Sequence, residues 1–521
     1  MIRNRCERLV VIAVLVLSAV WQTRGQSSAE IDAYIAQVRK TFDVPGISLT
    51  VVKDGNVVVA KGYGLKSVDA TAPVDAHTLF AIASNTKLFT ATALGLLVEE
   101  GKLEWDAPVV RYLPWFQLSD PYVTRELTIR DLLVHRSGLG LGAGDLLWWP
   151  PSTYNRSEIA HRLRFIPLST SFRSAYAYDN VLYLVAGEVI QAVSGLSWED
   201  FVTTRILRPI GMTESTVRHG DPGPLKNMAT PHAPINGVVR PVKAFDSDNT
   251  NPAGGINTNA VDMARWLITQ LDSGRVSPDV RLFSPRTTRQ LWGIVTPLSF
   301  GEPPADLAPL RMNFNGYALG LQVRDFRGVK VLTHTGGLPG FVSRVLMVPQ
   351  LRLGIAVLTN QESGAAFDAA TYGILDMFMK APRYDWIAGF KHQRDRADSL
   401  QKIADQRAAV RTDSSSRPPL PLERYAGTYT DPWYGDMVIS QSGGALQISM
   451  TRTPSLQGSL EYWQYGGFIA RWADPELRAD AYVMFTLAPD GKIEQVRMKP
   501  VSAETDFSFD FQDLRFTPAK H

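Results

Sequence analysis

Ala83-Ser84-Asn85-Thr86-Lys87-Leu88-Phe89-Thr90-Ala91-Thr92-Ala93-Leu94-Gly95-Leu96-Leu97-Val98 decides how the rest of this chain is read. Leu88, Ala91, Leu94 and Val98 recur at helical spacing, so the pattern predicts a helix that opens at Ser84 and is ended by Gly101. At a helix start the free N–H groups and the dipole favour developing negative charge. Lys87 lies one turn on, on the same face, where its amine can reach the Ser84 hydroxyl. A lysine acts as a base only when burial or neighbouring cations lower its pKa. The Ser-x-x-Lys pattern is weak by itself. With 34 Ser and 15 Lys in 521 positions, chance yields about one match, and Ser399-Leu400-Gln401-Lys402 is a second. Alone, the pattern reads first as an N-cap serine followed by a surface lysine.

Upstream, residues 29–41 read as an entry helix stopped by Val44-Pro45-Gly46. Residues 47–53 and 56–62 flank Asp54-Gly55, a strong hairpin signal. Downstream comes a helix-rich middle that includes 129–134 and 181–193, then a long Pro-, Gly- and Asn-rich loop over 219–252. Residues 260–271 are predicted helical, capped by Asn259 with Asp262 placed to return the bond. Three strands follow, over 329–335, 341–348 and 353–358. Strands, then helices, then strands predict an α/β (α+β) domain with a mainly antiparallel sheet and an inserted helical lobe. Clefts between such lobes are usual places for a site.

Residues 391–410 are charged and helical in pattern, and 411–422 contain Ser-Ser-Ser and Pro-Pro, so 386–422 reads as a linker. From Tyr425 about eight short alternating segments can be counted, among them 437–440, 446–450, 482–487 and 493–498, with a turn at Asp490-Gly491. Such a run predicts a small all-β barrel or sandwich over 423–521, after a catalytic-sized domain over 26–385.

At the other end, Arg3, Arg5 and Arg8 precede an apolar run from Leu9 to Trp21, with small residues at Thr23 and Gly25. That order describes a secretory signal over 1–25, and the run is too short for a membrane anchor. The expectation is a secreted or periplasmic protein without a stable membrane anchor after cleavage. The whole chain carries a formal charge of +3 and one cysteine, Cys6. Residues 1–25 hold Cys6, four Arg and one Glu, so 50 basic and 50 acidic residues remain over 496 positions. This composition excludes a disulfide framework and a cysteine-rich zinc module, and it argues against nucleic-acid binding.

Two further motifs carry chemistry. Tyr178-Asp179-Asn180 precedes the 181–193 helix; a phenol near a lysine can relay protons, and the Asn180 amide can hold that lysine or a substrate amide. Asn180 as a simple cap is the alternative. His334-Thr335-Gly336-Gly337 falls at the end of a predicted strand, where glycines permit close approach of another backbone. An acyl oxygen there could sit between the N–H groups of Ser84 and Gly337. A glycine hairpin with a structural His334 is the alternative. Eight histidines show neither H-x-E nor H-E-x-x-H spacing, so no metal and no cofactor is expected. Trp148-Trp149, ahead of Pro150-Pro151, form either a pocket wall or lid or simple packing of the lobe. Asn155-Arg156-Ser157 fits a glycosylation sequon, a tripeptide common by chance.

S-x-x-K, Y-x-N and H-x-G in this order resemble the serine β-lactamase and penicillin-binding-protein group. Separations of 94 and 250 residues from Ser84 resemble its class C β-lactamase, D-alanyl-D-alanine peptidase and CubicO-type esterase branch. Asp131–Gly138, Gly254-Gly255-Ile256 with Asp262–Trp266, and Gly336–Phe341 match as well, and the likeness spans about residues 29–380. The end domain resembles a lipocalin-like module. The resemblance implies Ser84 as acylated nucleophile, with Lys87 and Tyr178 sharing the base and relay work. It further implies Asn180 as the orienting amide and Ser84 with Gly337 as oxyanion donors, on a substrate edge that includes Thr335 and Gly336. The partner is then a small-molecule or peptide substrate; homo-oligomerisation stays open.

His334 departs from the pattern, because β-lactamases of this branch carry lysine there. An imidazole is mostly neutral near pH 7 and holds a carboxylate less well. It favours a peptidase or esterase over a β-lactamase, with Arg344 a candidate for the missing charge. A Ser84–His334–Asp triad is a rival reading, though no G-x-S-x-G elbow surrounds any serine. A penicillin sensor that deacylates slowly is another. His334→Lys is expected to raise penicillin turnover about tenfold while lowering ester or peptide turnover. Steady-state kinetics on both substrate types checks this, and unchanged ratios would refute the reading of His334.

Overall fold

Asp54 and Gly55 both adopt positive φ, the requirement of a tight two-residue hairpin turn, and they join the strands Gly46–Lys53 and Asn56–Gly64. The computed structural model describes residues 29–409 and 416–519; the expected signal segment, Cys6 and residues 410–415 lie outside the described residues. The first strand pairs along its other edge with Leu353–Thr359, Ile47 opposite Thr359, so the sheet is closed by segments far apart in the chain. Phe341–Val348, Val329–Leu338, Gln322–Phe326, Asn315–Tyr317 and Thr296–Pro297 continue an eight-stranded antiparallel sheet. Every residue of Leu353–Thr359 is buried, because both faces of the sheet are covered.

Alternation assigns the faces. Ile47, Leu49 and Val51 point to a core shared with Ile35, Val38, Ile374 and Trp386 from the helices over 29–41, Gly364–Met379 and Trp386–Ala409. Thr50 points the other way and donates to the Ala260 carbonyl of the helix Ala260–Leu271. On that second face lies the helix Lys87–Glu99, buried all round from Lys87 to Leu97. Leu88, Leu94 and Leu97 each contribute about 1.5–3 kcal/mol by leaving water.

Several local expectations are corrected. Ser84 does not open the α-helix; it sits in a one-turn 3-10 helix, Ala83–Thr86, and the α-helix begins at Lys87. Residues 129–134 form only a 3-10 turn, Asp131–Leu133, because the Asp131 carboxylate bonds Thr128, Arg136 and Arg173 instead of supporting a helix. The 219–252 loop contains a hairpin, His232–Ile235 with Val238–Pro241, turned by Asn236-Gly237 with both φ positive. Asn259 caps its helix, but the Asp262 carboxylate takes the N–H groups of Glu214 and Ser215 rather than returning a bond to Asn259. His334 is not at a strand end, since the strand runs on through both glycines to Leu338. The charged stretch is a helix from Trp386, and its first turn packs Trp386, Ile387 and Phe390 into the sheet core.

The terminal domain is a nearly closed, eight-stranded antiparallel barrel. Thr517–Pro518 pairs with Gly427–Asp431, and a bridge from Val496 to Phe516 brings the far edge round. Tyr425, Phe468 and Phe485 pack edge to face inside it. The barrel is docked on the helical lobe: Arg162 donates to the Trp433 carbonyl at 3.0 Å and Arg452 lies over the Tyr154 ring.

Gly336 sets how closely the central sheet approaches Ser84. A Cβ on Gly336 would collide with the Ile82 carbonyl oxygen and press on Ala83 Cβ at 3.0 Å, whereas one on Gly337 meets nothing within 4 Å. Gly336→Ala is therefore expected to lose about 1–3 kcal/mol of stability. Gly337→Ala is expected to keep its stability. Thermal denaturation of the two variants compares them directly.

Candidate active site

Ser84 stands at the floor of a cleft of about 500 Å³ between the sheet, the helical lobe and the barrel. The 3-10 turn is held by Asn85, whose N–H donates to Ile82 O and whose amide donates to Ser343 Oγ at 2.8 Å. Ser343 in turn donates to Ile82 O. One helical turn on, Lys87 is fully buried. Its Nζ lies 2.9 Å from Ser84 Oγ, 2.7 Å from Asn180 Oδ1 and 3.2 Å from the Ala253 carbonyl. Tyr178 OH donates to Ser84 Oγ at 2.9 Å. The structure thus brings Ser84, Lys87, Tyr178 and Asn180 together. The second S-x-x-K lies on an exposed helix, where Ser399 only donates back to the Asp395 carbonyl.

Burial pushes the Lys87 amine down to about 7, with the Asp145 and Asp179 carboxylates opposing that displacement. Burial pushes Tyr178 well above its ordinary phenol value, the Ser84 hydrogen bond working against it. The amine therefore gives up its proton long before the phenol does. Asn180 occupies the N-cap position of Val181–Ser194 but makes no capping bond. Its amide instead spans Lys87 and the buried Asp145, to which Nδ2 donates at 2.8 Å.

His334 lines the cleft, and its ring nitrogens engage Thr335 and Tyr317. Its Nδ1 is 2.6 Å from the Thr335 carbonyl, which can only accept, so Nδ1 carries the hydrogen and Nε2 accepts from Tyr317 OH at 2.7 Å. Burial pushes the imidazole down to about 3, with the Lys87 charge adding to the effect. Thr335 and Gly337 line the cleft, while Gly336 is pressed against the 3-10 turn. Arg344 does not replace a missing charge in the cleft. It points to the opposite face of the sheet, where it pairs with Asp368 and with Tyr372 OH. Among the residues lining the cleft, Asp506 is the one formally charged side chain, and none is Lys or Arg. Trp148 and Trp149 are cleft wall; Trp149 stacks on Phe245 at 5.4 Å.

Asp145, Tyr317, the Ala253 carbonyl and the barrel residues Asp506–Ser508 escaped the sequence reading. Only Asp145, an acid inside the apolar run from Leu139 to Trp149, left a local trace.

The family profile described as Beta-lactamase matches residues 31–376, and one described as a domain of unknown function (DUF3471) matches 411–518. Unguisins hydrolase ungD' of Aspergillus campestris is 30% identical over 431 residues, covering 77% of this chain and 76% of that protein. The octameric penicillin-binding protein homologue from Pyrococcus abyssi superposes with a TM-score of 0.57 at 20% identity, over 94% of this chain and 99% of that one. D-amino acid amidase from Ochrobactrum anthropi SV3 gives 0.53 at 21% identity, over 70% and 99%.

Because the amine has to be neutral to accept a proton, acylation of Ser84 is expected to rise with pH through about 7 and level off above it. Lys87→Ala is expected to lower it by about 10²–10⁴-fold. Pre-steady-state release of p-nitrophenolate from p-nitrophenyl butyrate checks both; near-normal turnover in Lys87→Ala would remove the base role from Lys87.

Proposed function

The chain belongs to the Beta-lactamase family, and from that premise we propose that it is an exported serine hydrolase working through an acyl-Ser84 intermediate. Its substrates are amides or peptides, including those of D-residues, and esters of modest size. One observation carries the reading. A neutral Lys87 amine has two hydrogens, and Asn180 Oδ1 and Ala253 O are there to take them, which leaves its lone pair for the Ser84 hydroxyl.

The steps follow from that arrangement. Ser84 Oγ attacks the substrate carbonyl as its proton passes to Lys87 Nζ. The oxyanion forms between the backbone N–H groups of Ser84 and Gly337. Tyr178, protonated at working pH and bonded to Ser84 Oγ, hands a proton to the departing amine or alkoxide and regains one from the lysine ammonium. Water then attacks the ester at Ser84, the same groups act in reverse, and the acid is released with Ser84 and Lys87 restored.

The cleft supports neutral or ammonium-bearing substrates over carboxylates. Asp506 is its one charged lining residue, and His334 is held neutral by burial, with the Lys87 charge adding to the effect. D-amino acid amides have this character, and a fold neighbour is a D-amino acid amidase.

Intact-mass measurement of acyl-Ser84 tests the proposal across D-phenylalanine amide, D-residue peptides, short-chain p-nitrophenyl esters and penicillins. Adducts from amides or esters that form and decay, absent in Ser84→Ala, are expected. A long-lived adduct with penicillin alone would make the chain a sensor, and no adduct with any of them would overturn the reading.

A further inference from the structure

Among the described residues, the barrel reaches the cleft through one segment. Between Ile493–Pro500 and Thr517–Pro518 its chain descends to the cleft, where Asp506, Phe507 and Ser508 form part of the wall. Phe507 stands edge-on to Tyr178 with ring centroids 6.1 Å apart, and its backbone fills the space beside Gly142 that a Cβ would occupy. The next residues are buried. Ser508 Oγ donates to Asp145 Oδ2 at 3.1 Å. Asp510 accepts the N–H of Gly144 at 2.7 Å and of Leu146 at 3.2 Å. Thus one barrel residue bonds the Asp145 side chain while another grips the backbone on either side of it.

Asp145 is fully buried and has three donors: Trp148 Nε1 on Oδ1, and Asn180 Nδ2 and Ser508 Oγ on Oδ2. Its Asn180 contact fixes which way the Asn180 amide faces, and hence that Oδ1 is presented to Lys87 Nζ. If Asn180 turned over, an N–H would meet the amine and the lone pair would lose its aim at Ser84. We propose that Ser508 and Asp510 of the barrel are positioning residues for the reaction, holding Asp145 so that Asn180 directs the Lys87 amine at Ser84. The proposal rests on the acyl-Ser84 reading above and adds to it a reason for the second domain: the hydrolase site is finished by residues of the barrel.

The same contacts govern charge. Burial pushes Asp145 up to about 7, and the hydrogen bonds from Asn180, Trp148 and Ser508 pull it down. Asp179 raises it further, and Asp510, itself pushed well up by burial, feels the Asp145 charge. Lys87 in turn is faced by Asp145 and Asp179, by the rings of Tyr178 and Tyr183, and by the neutral His135 and His334. Removing the Ser508 donor makes Asp145 harder to ionise, which deprives the Lys87 ammonium of a stabilising anion. The acid limb of acylation then moves to lower pH, a change that loss of packing alone does not produce.

The experiment uses the full chain with p-nitrophenyl butyrate. Ser508→Ala is expected to lower kcat about tenfold with little change in KM, and to move the acid limb down. The same substitution in an Asp145→Asn chain is expected to have little further effect, because it acts through that carboxylate. Asp510→Asn, which keeps the shape of the side chain, gives a second route to the kcat loss if Ser508→Ala folds poorly. Losses that multiply in the two backgrounds, or an unchanged kcat and acid limb in both barrel variants, overturn the proposal. Failure of the unmodified chain to form acyl-Ser84 sinks the hydrolase reading instead, and intact mass distinguishes the two.

Discussion

A lysine amine with no exposure to water is the constraint around which this molecule is arranged. Moving Lys87 from its ordinary value of 10.5 to about 7 corresponds to about 5 kcal/mol of unfavourable burial for the charged form. The sign is that of a base depressed on folding. The penalty is absent above about 10.5, grows as pH falls, and is complete below about 7. A domain tolerates it because the amine's polar atoms are all met, by Asn180, the Ala253 carbonyl and Ser84, and because the rings of Tyr178 and Tyr183 lie within 5.1 Å.

Every other element of the site serves that placement. The central sheet comes close enough to press Gly336 on the 3-10 turn, and the bonds among Ile82, Asn85 and Ser343 lock the two together. The helical lobe supplies Tyr178 and Asn180 from the entry to Val181–Ser194, beneath which His135 lies buried against the Tyr178 ring. Neutral imidazoles at His135 and His334 add no second cation to the cleft, so among the described residues no positive neighbour holds the amine back from taking a proton.

What was legible in the sequence was local or strongly periodic. Asp54-Gly55 announced its hairpin, Asn259 its helix cap, and the three late strands their order, since each depends on neighbours in the chain. Ser84, Lys87, Tyr178 and Asn180 could be paired because three motifs agreed, none of which was specific alone. The failures were tertiary. Asp131 and Asp262 use their carboxylates on distant or looped groups, so helical pattern and capping pattern both misled. Arg344 is one strand from His334, yet alternation sends it to the opposite face. Asp145 and Ser508 are 363 positions apart, and no local pattern ties a lobe residue to a barrel turn. Tyr317, one of 17 tyrosines, has no signature beyond its type.

The barrel's place in the cleft wall has a consequence in time. Residues 506–508 leave the ribosome several hundred residues after Ser84, on the order of 20–80 s later at ordinary elongation rates. Until they arrive and the barrel folds, Ser84 faces a groove with one side missing. The order of domains in the chain thus works as a delay line: the lobe that carries Ser84 is made first, and the segment that encloses its cleft follows several hundred residues later.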